Sequence, residues 1–309
     1  MALFSQTPNI NFMGGRRVAI TISAVMILIS LGSIGVRGLN LGIDFTGGLL
    51  LEVGYAGTAD LAEIRSALAE AGFATPLVQN FGTATDVLIR LPPQEEQDGG
   101  VIRDRVVGIL AERDPSVDVR RIEFVGSTVG EDLTNQGGLA MLIALILIFM
   151  YVMLRFRWKF AAGTISALVH DVIIVVGLFS LFGFGFDLSV LAAVLATIGY
   201  SLNDTIVVFD RIRENFRIMR RGSAVEIINT SINQMLNRTI ITSMTTLLVL
   251  TSLYFLGGEA VSGFALALIF GVLVGTYSSI YIASASALAL DVSPVDLLPV
   301  KREEIDDLP

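Results

Sequence analysis

The stretch from Gly138 to Leu154 reads GLAMLIALILIFMYVML and contains no charged residue. An α-helix needs about 17–25 mostly apolar residues to cross the hydrocarbon core of a bilayer. This stretch therefore predicts a membrane-spanning helix. Comparable apolar stretches occur before and after it, at Val18–Val36, Ala161–Phe182, Leu188–Phe209, Thr239–Leu256 and Val261–Leu290. The sequence thus predicts a polytopic α-helical membrane protein with six transmembrane helices, the first of them an uncleaved anchor.

The composition supports this class and excludes several kinds of chemistry. Of 309 residues, 53% are hydrophobic and 16% are charged, and the mean hydropathy is +0.72. The absence of cysteine excludes disulfides, thiolate zinc sites and iron–sulfur clusters, and a single histidine excludes a multi-histidine metal centre. The net charge of −8 leaves no basic face for nucleic acid. We expect neither a metal nor a cofactor.

The basic residues predict the orientation in the membrane. The short loops on one side, 183–187 and 257–260, contain no Lys or Arg. The opposite side carries thirteen: Arg16, Arg17, Arg155, Arg157, Lys159, Arg211, Arg213, Arg217, Arg220, Arg221, Arg238, Lys301 and Arg302. Because cytoplasmic loops are enriched in Lys and Arg, both termini are expected in the cytoplasm. This divides the chain into 1–37 (N-terminus and first helix), 38–137 (external domain), 138–290 (five helices with a cytoplasmic loop at about 210–237) and 291–309 (cytoplasmic tail).

The external segment 38–137 predicts a compact αβ domain. It contains seven Arg against sixteen Asp and Glu, a net charge of −9. Two helical patterns, the first capped by Thr58 and ended by Gly72 and the second ended before Pro115, alternate with strands. The predicted strands are Leu49–Tyr55, Leu77–Phe81, Val87–Leu91 and Val117–Val125, with a turn at 82–85. The order βαββαβ is typical of a ferredoxin-like fold, here expected on the external side of the membrane.

A further helix is predicted in the loop at 210–237. Ser223 and Glu226 form a capping-box pattern ahead of Val225, Ile228, Ile232 and Met235, which share one helical face. We expect this helix to lie along the membrane surface as a connector between the fourth and fifth spans.

Ionisable groups at membrane depth are the candidate functional residues. A charged side chain at the bilayer centre costs about 2.5–3.5 kcal/mol on insertion scales, yet His170, Asp171 and Asp204 fall inside predicted spans. Asn203 precedes Asp204, and Arg238 stands at the start of the fifth span, from where its side chain can turn inward to Asp204. A switchable carboxylate–arginine pair suits a proton-coupled machine. Static polar contacts that lock the bundle are the alternative for each of these residues.

The sequence offers little support for other chemistry. It contains no G-x-x-x-x-G-K-[ST] motif, which argues against a nucleotide motor. His170 lies too deep in its span to serve a Ser–His–Asp hydrolase. Span six carries a small residue at every fourth position, which predicts close helix packing: Gly263, Ala267, Gly271, Gly275, Ser279, Ala283 and Ala287.

Several motifs together resemble the SecF family of bacterial protein-export subunits. They are LGIDFTGG at residues 41–48, His170-Asp171, GYSLNDT at 199–205 running into FDRIREN at 209–215, and Asn237-Arg238-Thr239. The resemblance covers essentially the whole chain. In the family, the Asp of span four and the Arg of span five belong to the proton pathway, which here implies Asp204 and Arg238. The supporting polar residues would be His170, Asp171 and Asn203, and the family motif beside the external domain contributes Asp44, Gly47 and Gly48.

The resemblance also implies a function and partners. SecF subunits pair with SecD in a twelve-span unit similar to resistance–nodulation–division transporters, in the bacterial inner membrane. That unit uses the proton-motive force to help draw unfolded preproteins from the SecYEG channel, with YajC as a further associated subunit. The residues alone leave open whether the coupling ion is a proton or sodium. Two alternatives stay open: half of a small-molecule or lipid exporter of the same superfamily, and a membrane-anchored scaffold or sensor.

Overall fold

The structure is a computed structural model that describes residues 7–93, 99–219 and 222–292. After a 3₁₀ turn at Met13–Gly15, the elements follow in chain order: α1 Arg16–Arg37, β1 Asn40–Leu41, α2 Ile43–Thr46, β2 Gly48–Gly54, α3 Leu61–Glu70, β3 Leu77–Phe81, β4 Thr83–Leu91, α4 Gly99–Arg113, β5 Asp118–Val125, α5 Ser127–Arg155, α6 Trp158–Phe182, β6 Gly185–Phe186, α7 Leu188–Ile218, α8 Ala224–Leu256, α9 Glu259–Ser278, a π-helical turn at Ser279–Ala283, and α10 Ser284–Ala289.

Six helical segments in this part of the chain are long and apolar enough to cross a membrane. They are α1, α5, α6, α7, α8 and the run from α9 through α10. The prediction of a six-helix membrane protein is confirmed. The αβ domain, formed by residues 48–125, lies between the first and second of these helices.

The helix ends differ from the prediction on both sides of the membrane. Helix α5 begins at Ser127, eleven residues before the predicted start at Gly138, so the boundary proposed at 137 falls inside a helix. Helix α7 continues to Ile218 and α8 begins at Ala224, so the loop expected at about 210–237 is largely helical. Apolar patterning marks only the part of a helix in lipid, whereas backbone hydrogen bonding continues into polar sequence.

The expected surface helix is the first part of α8. The predicted capping box is present: Ser223 accepts a hydrogen bond from the backbone N–H of Glu226, and the Glu226 side chain accepts one from that of Ser223. The helix continues without interruption into the fifth span, so the prediction of a separate interfacial helix was wrong. Its buried Ile227 and Ile228 share a core cluster with Phe216 of α7, which directs α8 along α7. Arg220, Arg221 and the predicted tail from residue 293, including Lys301 and Arg302, lie outside the described residues.

Small residues bring α9 against α7, as the stripe predicted. A Cβ added to Gly271 would lie 2.1 Å from Thr197 Oγ1, and one added to Gly275 would lie 3.0 Å from Ser201 Cβ. Such distances leave no room for a larger side chain. The two helices that carry Ser279 and Asp204 are therefore held at close range.

The αβ domain contains the predicted order of strands and helices. Its sheet has the order β3–β4–β2–β5, and all neighbouring strands are antiparallel. One face packs against α3 and α4, with Leu51, Ile89, Leu68 and Val106 in the core. Two details differ from the prediction. Asp60, not Thr58, caps α3 because its carboxylate accepts from two N–H groups of the first turn, and β4 begins at Thr83, so the turn after β3 is confined to Gly82.

Three short elements that the sequence analysis did not predict join this domain to the helices. Strand β1 pairs in parallel with β6, just before α7. Helix α2 packs beside the first turns of α5, where a Cβ on Gly130 would lie 2.8 Å from the Gly47 nitrogen. Gly47 has φ +71° and Gly48 has φ +115°, a region that strongly favours glycine. The paired glycines therefore allow the chain to turn from α2 into β2.

Replacing Gly48 by Ala is expected to loosen the αβ domain. The added Cβ would lie 2.1 Å from the Leu91 carbonyl oxygen, and the positive φ adds strain. We expect amide exchange in β2 and β4 of the full chain in detergent, measured by mass spectrometry, to be about tenfold faster or more, which is at least about 1.4 kcal/mol. Gly57→Ala is the control, because nothing lies within 4 Å of a Cβ there. Equal protection in the two variants would contradict this account of the glycine pair.

Candidate functional site

Asp204 lies inside the bundle where three helical segments meet. It is on α7, and 9% of its surface is exposed. Its Oδ1 accepts a hydrogen bond from Thr239 Oγ1 of α8 at 2.8 Å. Its Oδ2 accepts one from Ser279 Oγ, at the start of the π-helical turn, at 2.5 Å. Each oxygen of this carboxylate is therefore satisfied by a neutral hydroxyl from a different helix.

Asp171 forms a second buried carboxylate site on α6, with 1% of its surface exposed. Its Oδ2 accepts from Ser201 Oγ of α7 at 2.5 Å and from Ser278 Oγ of α9 at 2.8 Å. Its Oδ1 lies 2.9 Å from Nδ1 of the adjacent His170. This carboxylate thus ties α6 to α7 and α9.

His170 extends the polar network to the first helix. The ring is buried, with 3% exposed, and its Nε2 lies 3.0 Å from Ser23 Oγ of α1. Ser23 Oγ in turn lies 3.1 Å from the hydroxyl of Tyr277, whose ring stacks on His170. The His170-Asp171 pair therefore has partners on three other helices, as the structural alternative for these residues requires.

The two carboxylate sites lie one helical turn apart. Ser201 and Asp204 are three residues apart on α7, and their partners Ser278 and Ser279 are consecutive. Residues three apart on a helix are neighbours on its surface. A change in the position of the segment around residues 278–279 would therefore alter hydrogen bonds at both carboxylates.

The π-helical turn begins at the residue that binds Asp204. It covers Ser279–Ala283 and separates α9 from α10. Ser284 Oγ lies 3.4 Å from the Ser279 carbonyl oxygen. Single π turns within α-helices are frequent at functional sites, because they interrupt the regular hydrogen-bond ladder. The helical run from α9 to α10 is thus irregular at Ser279, where it contacts Asp204.

Arg238 does not form the predicted contact in this conformation. Its side chain is exposed, and no Arg or Lys nitrogen of the described residues lies within 4 Å of the Asp204 carboxylate. The neighbouring Thr239 makes the contact instead. Because consecutive helical residues point about 100° apart, the packing that turns Thr239 toward Asp204 turns Arg238 away.

Asn203 also lies outside the polar cluster. It is exposed on α7, on a face that it shares with the small exposed residues Ala192, Ala196 and Gly199. These positions follow helical spacing. An exposed amide in the middle of a membrane span, on a face of small side chains, is typical of a helix-packing surface.

The motif residues Asp44, Gly47 and Gly48 lie at the αβ-domain end of the bundle, away from the carboxylate cluster. Asp44 Oδ2 accepts a hydrogen bond from the backbone N–H of Leu188, the first residue of α7. Gly47 and Gly48 form the turn described above. Asp44 thus lies at the start of α7, the helix that carries Asp204 near its middle, whereas Gly47 lies beside the start of α5 and Gly48 beside β4.

Sequence reasoning missed the hydroxyl groups that complete the site. They are Ser23, Ser201, Thr239, Tyr277, Ser278 and Ser279. Ser201 lies inside the quoted GYSLNDT motif, and Ser278-Ser279 is a polar pair within an apolar span. Those signals were present, but hydroxyls in membrane helices commonly bond to their own backbone, so sequence alone does not indicate their partners.

The chemistry of the site follows from a buried carboxylate without an ion pair. An isolated charge is costly in a low-dielectric interior, and binding a proton or a monovalent cation removes that cost. No cluster of three or more His, Asp or Glu side chains that could hold a metal ion occurs within residues 7–93, 99–219 and 222–292. The arrangement is suited to reversible binding of a small cation, with serine and threonine hydroxyls as adjustable partners.

Comparisons with known proteins agree with this architecture. The family "Protein export membrane protein SecD/SecF, C-terminal" matches residues 106–293, and "SecD/SecF GG Motif" matches residues 32–59. The protein translocase subunit SecF of Vibrio alginolyticus is 49% identical over 305 residues, which cover 97% of each chain. That of Pseudomonas aeruginosa is 49% identical over 303 residues, covering 97% of this chain and 98% of the relative.

A solved structure shows the same fold. The crystal structure of SecDF from Thermus thermophilus, a translocon-associated membrane protein, matches with a TM-score of 0.85 and 38% identity. The match covers 94% of this chain and 40% of that longer chain. Together with the six membrane helices and the full-length relatives, this means that the chain is a multi-pass protein of the bacterial inner membrane and belongs to the SecF family of protein translocase subunits.

Proposed function

We propose that this chain is one half of a SecD–SecF complex that uses the proton-motive force to promote late steps of preprotein export. The observation that carries the proposal is Asp204, a buried carboxylate whose two oxygens are bound by hydroxyls from α8 and from the π-helical turn. Asp204 is the ion-binding group. Its occupancy determines how Thr239 and Ser279 bind to it, and thereby how α7, α8 and α9 pack.

Protonation of Asp204 changes its hydrogen-bonding capacity. An ionised carboxylate only accepts, whereas a protonated one also donates through its O–H group. The hydroxyl that faces the protonated oxygen, from Thr239 or from Ser279, must then turn so that it accepts, because the new O–H group donates. The irregular turn at Ser279 and the small residues between α7 and α9 allow such a rearrangement at low steric cost.

Arg238 assists the release of the proton from Asp204. A short rotation of α8 would move its guanidinium toward Asp204 and favour the ionised carboxylate. Arg itself stays charged at physiological pH, so it assists release of the proton rather than carrying it. His170 and Asp171 have a supporting role, because they hold Ser278, the neighbour of Ser279, in place.

A partner subunit completes the membrane domain. The exposed face of α7 with Asn203 and the exposed Arg238 of α8 both lie at membrane depth, where lipid is a poor neighbour for polar groups. The solved relative is a SecDF chain of which this chain covers 40%. We assign the uncovered faces of α7 and α8 to contact with a SecD subunit.

We assign the αβ domain a ferredoxin-like fold and a location on the external side of the membrane. Its strand order and its βαββαβ chain order support a ferredoxin-like fold, and the basic residues of the opposite side support a periplasmic location with both termini in the cytoplasm. We keep the proposed division into segments 1–37, 38–137, 138–290 and 291–309. Two details change: α5 begins at Ser127, and the cytoplasmic loop is confined to the residues between α7 and α8. SecYEG, YajC and unfolded preproteins are the proposed partners in the cell.

The alternative of a small-molecule or lipid exporter has less support. Both relatives described above are named as protein translocase subunits, and they match over nearly the full chain. A static scaffold does not account for a buried carboxylate that lacks an ion pair. We therefore retain protein export as the function.

Asp204→Asn is expected to abolish gradient-dependent export while leaving assembly intact. Asn keeps the shape of the side chain and one acceptor oxygen, so one of the two hydroxyls of Thr239 and Ser279 can still donate to it, but it cannot bind a proton. We expect at least about a tenfold loss of the export rate that an imposed proton gradient adds in proteoliposomes containing SecD, SecYEG and SecA. A parallel series with a sodium gradient identifies the coupling ion.

Asp132→Asn is the matched control for that experiment. Asp132 is an exposed carboxylate on α5, so the same change of charge there should leave the gradient effect unaltered. Equal gradient-dependent rates for wild-type and Asp204→Asn protein would refute the proposed mechanism and leave Asp204 as a structural residue.

Arg238→Met tests the role of the exposed guanidinium. Methionine keeps much of the apolar stem and removes the charge, so packing of α8 should persist. We expect gradient-dependent export to fall, while gradient-independent, ATP-driven export persists in the same vesicles. Arg217→Met, an exposed arginine near the end of α7, is the control, and a similar loss in both variants would argue for a general charge effect.

A cross-linking experiment tests the proposed SecD surface. A photo-reactive p-benzoylphenylalanine at Ala196, on the exposed face of α7, is expected to form an adduct with SecD in membranes. The same probe at Leu28, exposed on α1, should not, because α1 packs against α6 instead. An adduct at Leu28 with none at Ala196 would place SecD on the wrong side of the bundle for this proposal.

A further inference from the structure

Arg90 lies where the αβ domain meets the membrane helices. It belongs to β4, and its guanidinium is on the sheet face opposite α3 and α4. Its Nη1 donates to Asn40 Oδ1 at 3.2 Å and approaches the Leu41 carbonyl oxygen at 3.5 Å. Asn40 and Leu41 form β1, which precedes the domain in the chain. The side chain thus ties the sheet to a strand that is outside it.

Strand β1 is in turn bound to the entrance of α7. It pairs with Gly185 and Phe186, and the backbone N–H of Gly42 donates to the Phe186 carbonyl oxygen at 2.8 Å. A Cβ on Gly42 would lie 3.1 Å from Asp187 Cβ. The linker after α1 and the segment before α7 therefore form one closely packed unit.

Two carboxylates bind the first turn of α7 and attract Arg90. Asp187 Oδ1 accepts from the Val190 N–H at 2.9 Å, and Asp44 Oδ2 accepts from the Leu188 N–H at 3.0 Å. Acidic groups at a helix N-terminus are stabilised by the helix dipole. Burial lowers the pKa of Arg90, and the charges of Asp187 and Asp44 act in the opposite direction. Arg90, Asp44 and Asp187 line one cavity, so the guanidinium lies near both capping groups.

The same helix carries Asp204 in the membrane. From Leu188 to Asp204 is sixteen residues, about 24 Å along a regular helix. Helix shifts are a common element of switching transitions, and a shift of α7 at Asp204, near its middle, would reach its first turn. On its other side, the domain is separated from the α8–α9 loop by a cavity of about 560 Å³, lined by residues that include Arg120, Gly257 and Gly258. A second cavity, of about 310 Å³, lies at the start of α7 and is lined by residues that include Arg90, Asp44 and Asp187, so the sheet reaches α7 there through Arg90 and β1.

We propose that Arg90 is a positioning residue that couples the αβ domain to α7, so that the ion-binding state of Asp204 sets the position of the domain above the membrane. This inference rests on the proposed function and adds the connection between the ion-binding site at Asp204 and the αβ domain. When α7 moves, the Asp44 and Asp187 caps and β1 move with it. Arg90 then draws β4, and with it the sheet, toward or away from the cavity.

A double-mutant cycle on the assembled SecD–SecF complex in nanodiscs tests this coupling. Because the chain has no native cysteine, spin labels can be placed at Val101→Cys on α4 and Phe255→Cys on α8, both exposed. Pulsed electron paramagnetic resonance then reports the distance across the cavity. Asp204→Asn serves as a fixed neutral state of Asp204.

We expect Asp204→Asn to shift the mean label distance by roughly 2 Å or more, the scale of interface helix shifts. In an Arg90→Gln background the same substitution should shift the mean label distance by less than half as much, because the sheet then reaches α7 only through the backbone of β1 and α2. Arg90→Lys keeps the charge but loses the planar fork, so part of the distance shift caused by Asp204→Asn should remain in that background. Arg113→Gln is the control, since Arg113 pairs with Glu63 and Glu70 on the domain surface, and it should leave the shift unchanged.

Two results would overturn the coupling. An undiminished shift in the Arg90→Gln background would make Arg90 a local anchor only. Absence of any shift on Asp204→Asn in otherwise unaltered protein would mean that the domain does not respond to the site, even if that substitution abolishes gradient-driven export. If export proves independent of Asp204 while the cycle shows coupling, the proposed function fails and the coupling stands.

A second variant, Asn40→Ala, tests the same contact without depending on the folding of Arg90→Gln. Asn40→Ala removes the 3.2 Å acceptor of Arg90 without altering the charge. It should also reduce the shift, and to a smaller extent. If Asn40→Ala is fully folded and leaves the shift complete, the route through β1 is wrong.

Discussion

The low dielectric of the membrane interior is the constraint on which this structure depends. Polar groups there have no water to bind, so each must find a partner within the protein. Asp171 and Asp204 meet this requirement through serine and threonine hydroxyls on neighbouring helices. These contacts need α7, α8 and α9 in close and specific register. The polar cluster therefore defines how the helices pack, rather than simply occupying space among them.

Close packing of α7 and α9 follows from the same requirement. Short side chains such as Ser279 reach a carboxylate only if the helix backbones approach closely, and Gly271 and Gly275 make that approach possible. In lipid, such packing replaces the hydrophobic effect as the force between helices. The stripe of small residues and the carboxylate site are thus two parts of one arrangement. A π-helical turn at Ser279 places an irregular segment at their contact.

The αβ domain is joined to the start of α7, the helix that carries Asp204. Its core is independent of the bundle, yet β1, β6 and the caps of α7 form a continuous set of contacts between the two. This arrangement places the motif glycines and Asp44 in a structural role at the junction.

The sequence by itself determined the six spans, the αβ domain between the first two, and the buried ionisable residues. Those features follow from local composition and periodicity, which report how each segment meets lipid or water. It also predicted the small-residue stripe of span six and the capping box at Ser223. It misplaced element ends: α5 begins at Ser127 because backbone hydrogen bonding continues beyond the lipid-facing apolar stretch, and β4 begins at Thr83 because strand pairing continues beyond the apolar residues.

Only the tertiary structure decided which groups meet. The sequence favoured Arg238 as the partner of Asp204, whereas packing turns Thr239 and Ser279 toward it. Hydrogen bonds between helices depend on rotation and register, and neither quantity is written in local patterns. The same holds for Asn203, which packing leaves exposed, and for Arg90, whose place at the entrance of α7 depends on how the sheet sits on the bundle. Long-range geometry, set by the sum of many weak contacts, is what a single sequence does not report.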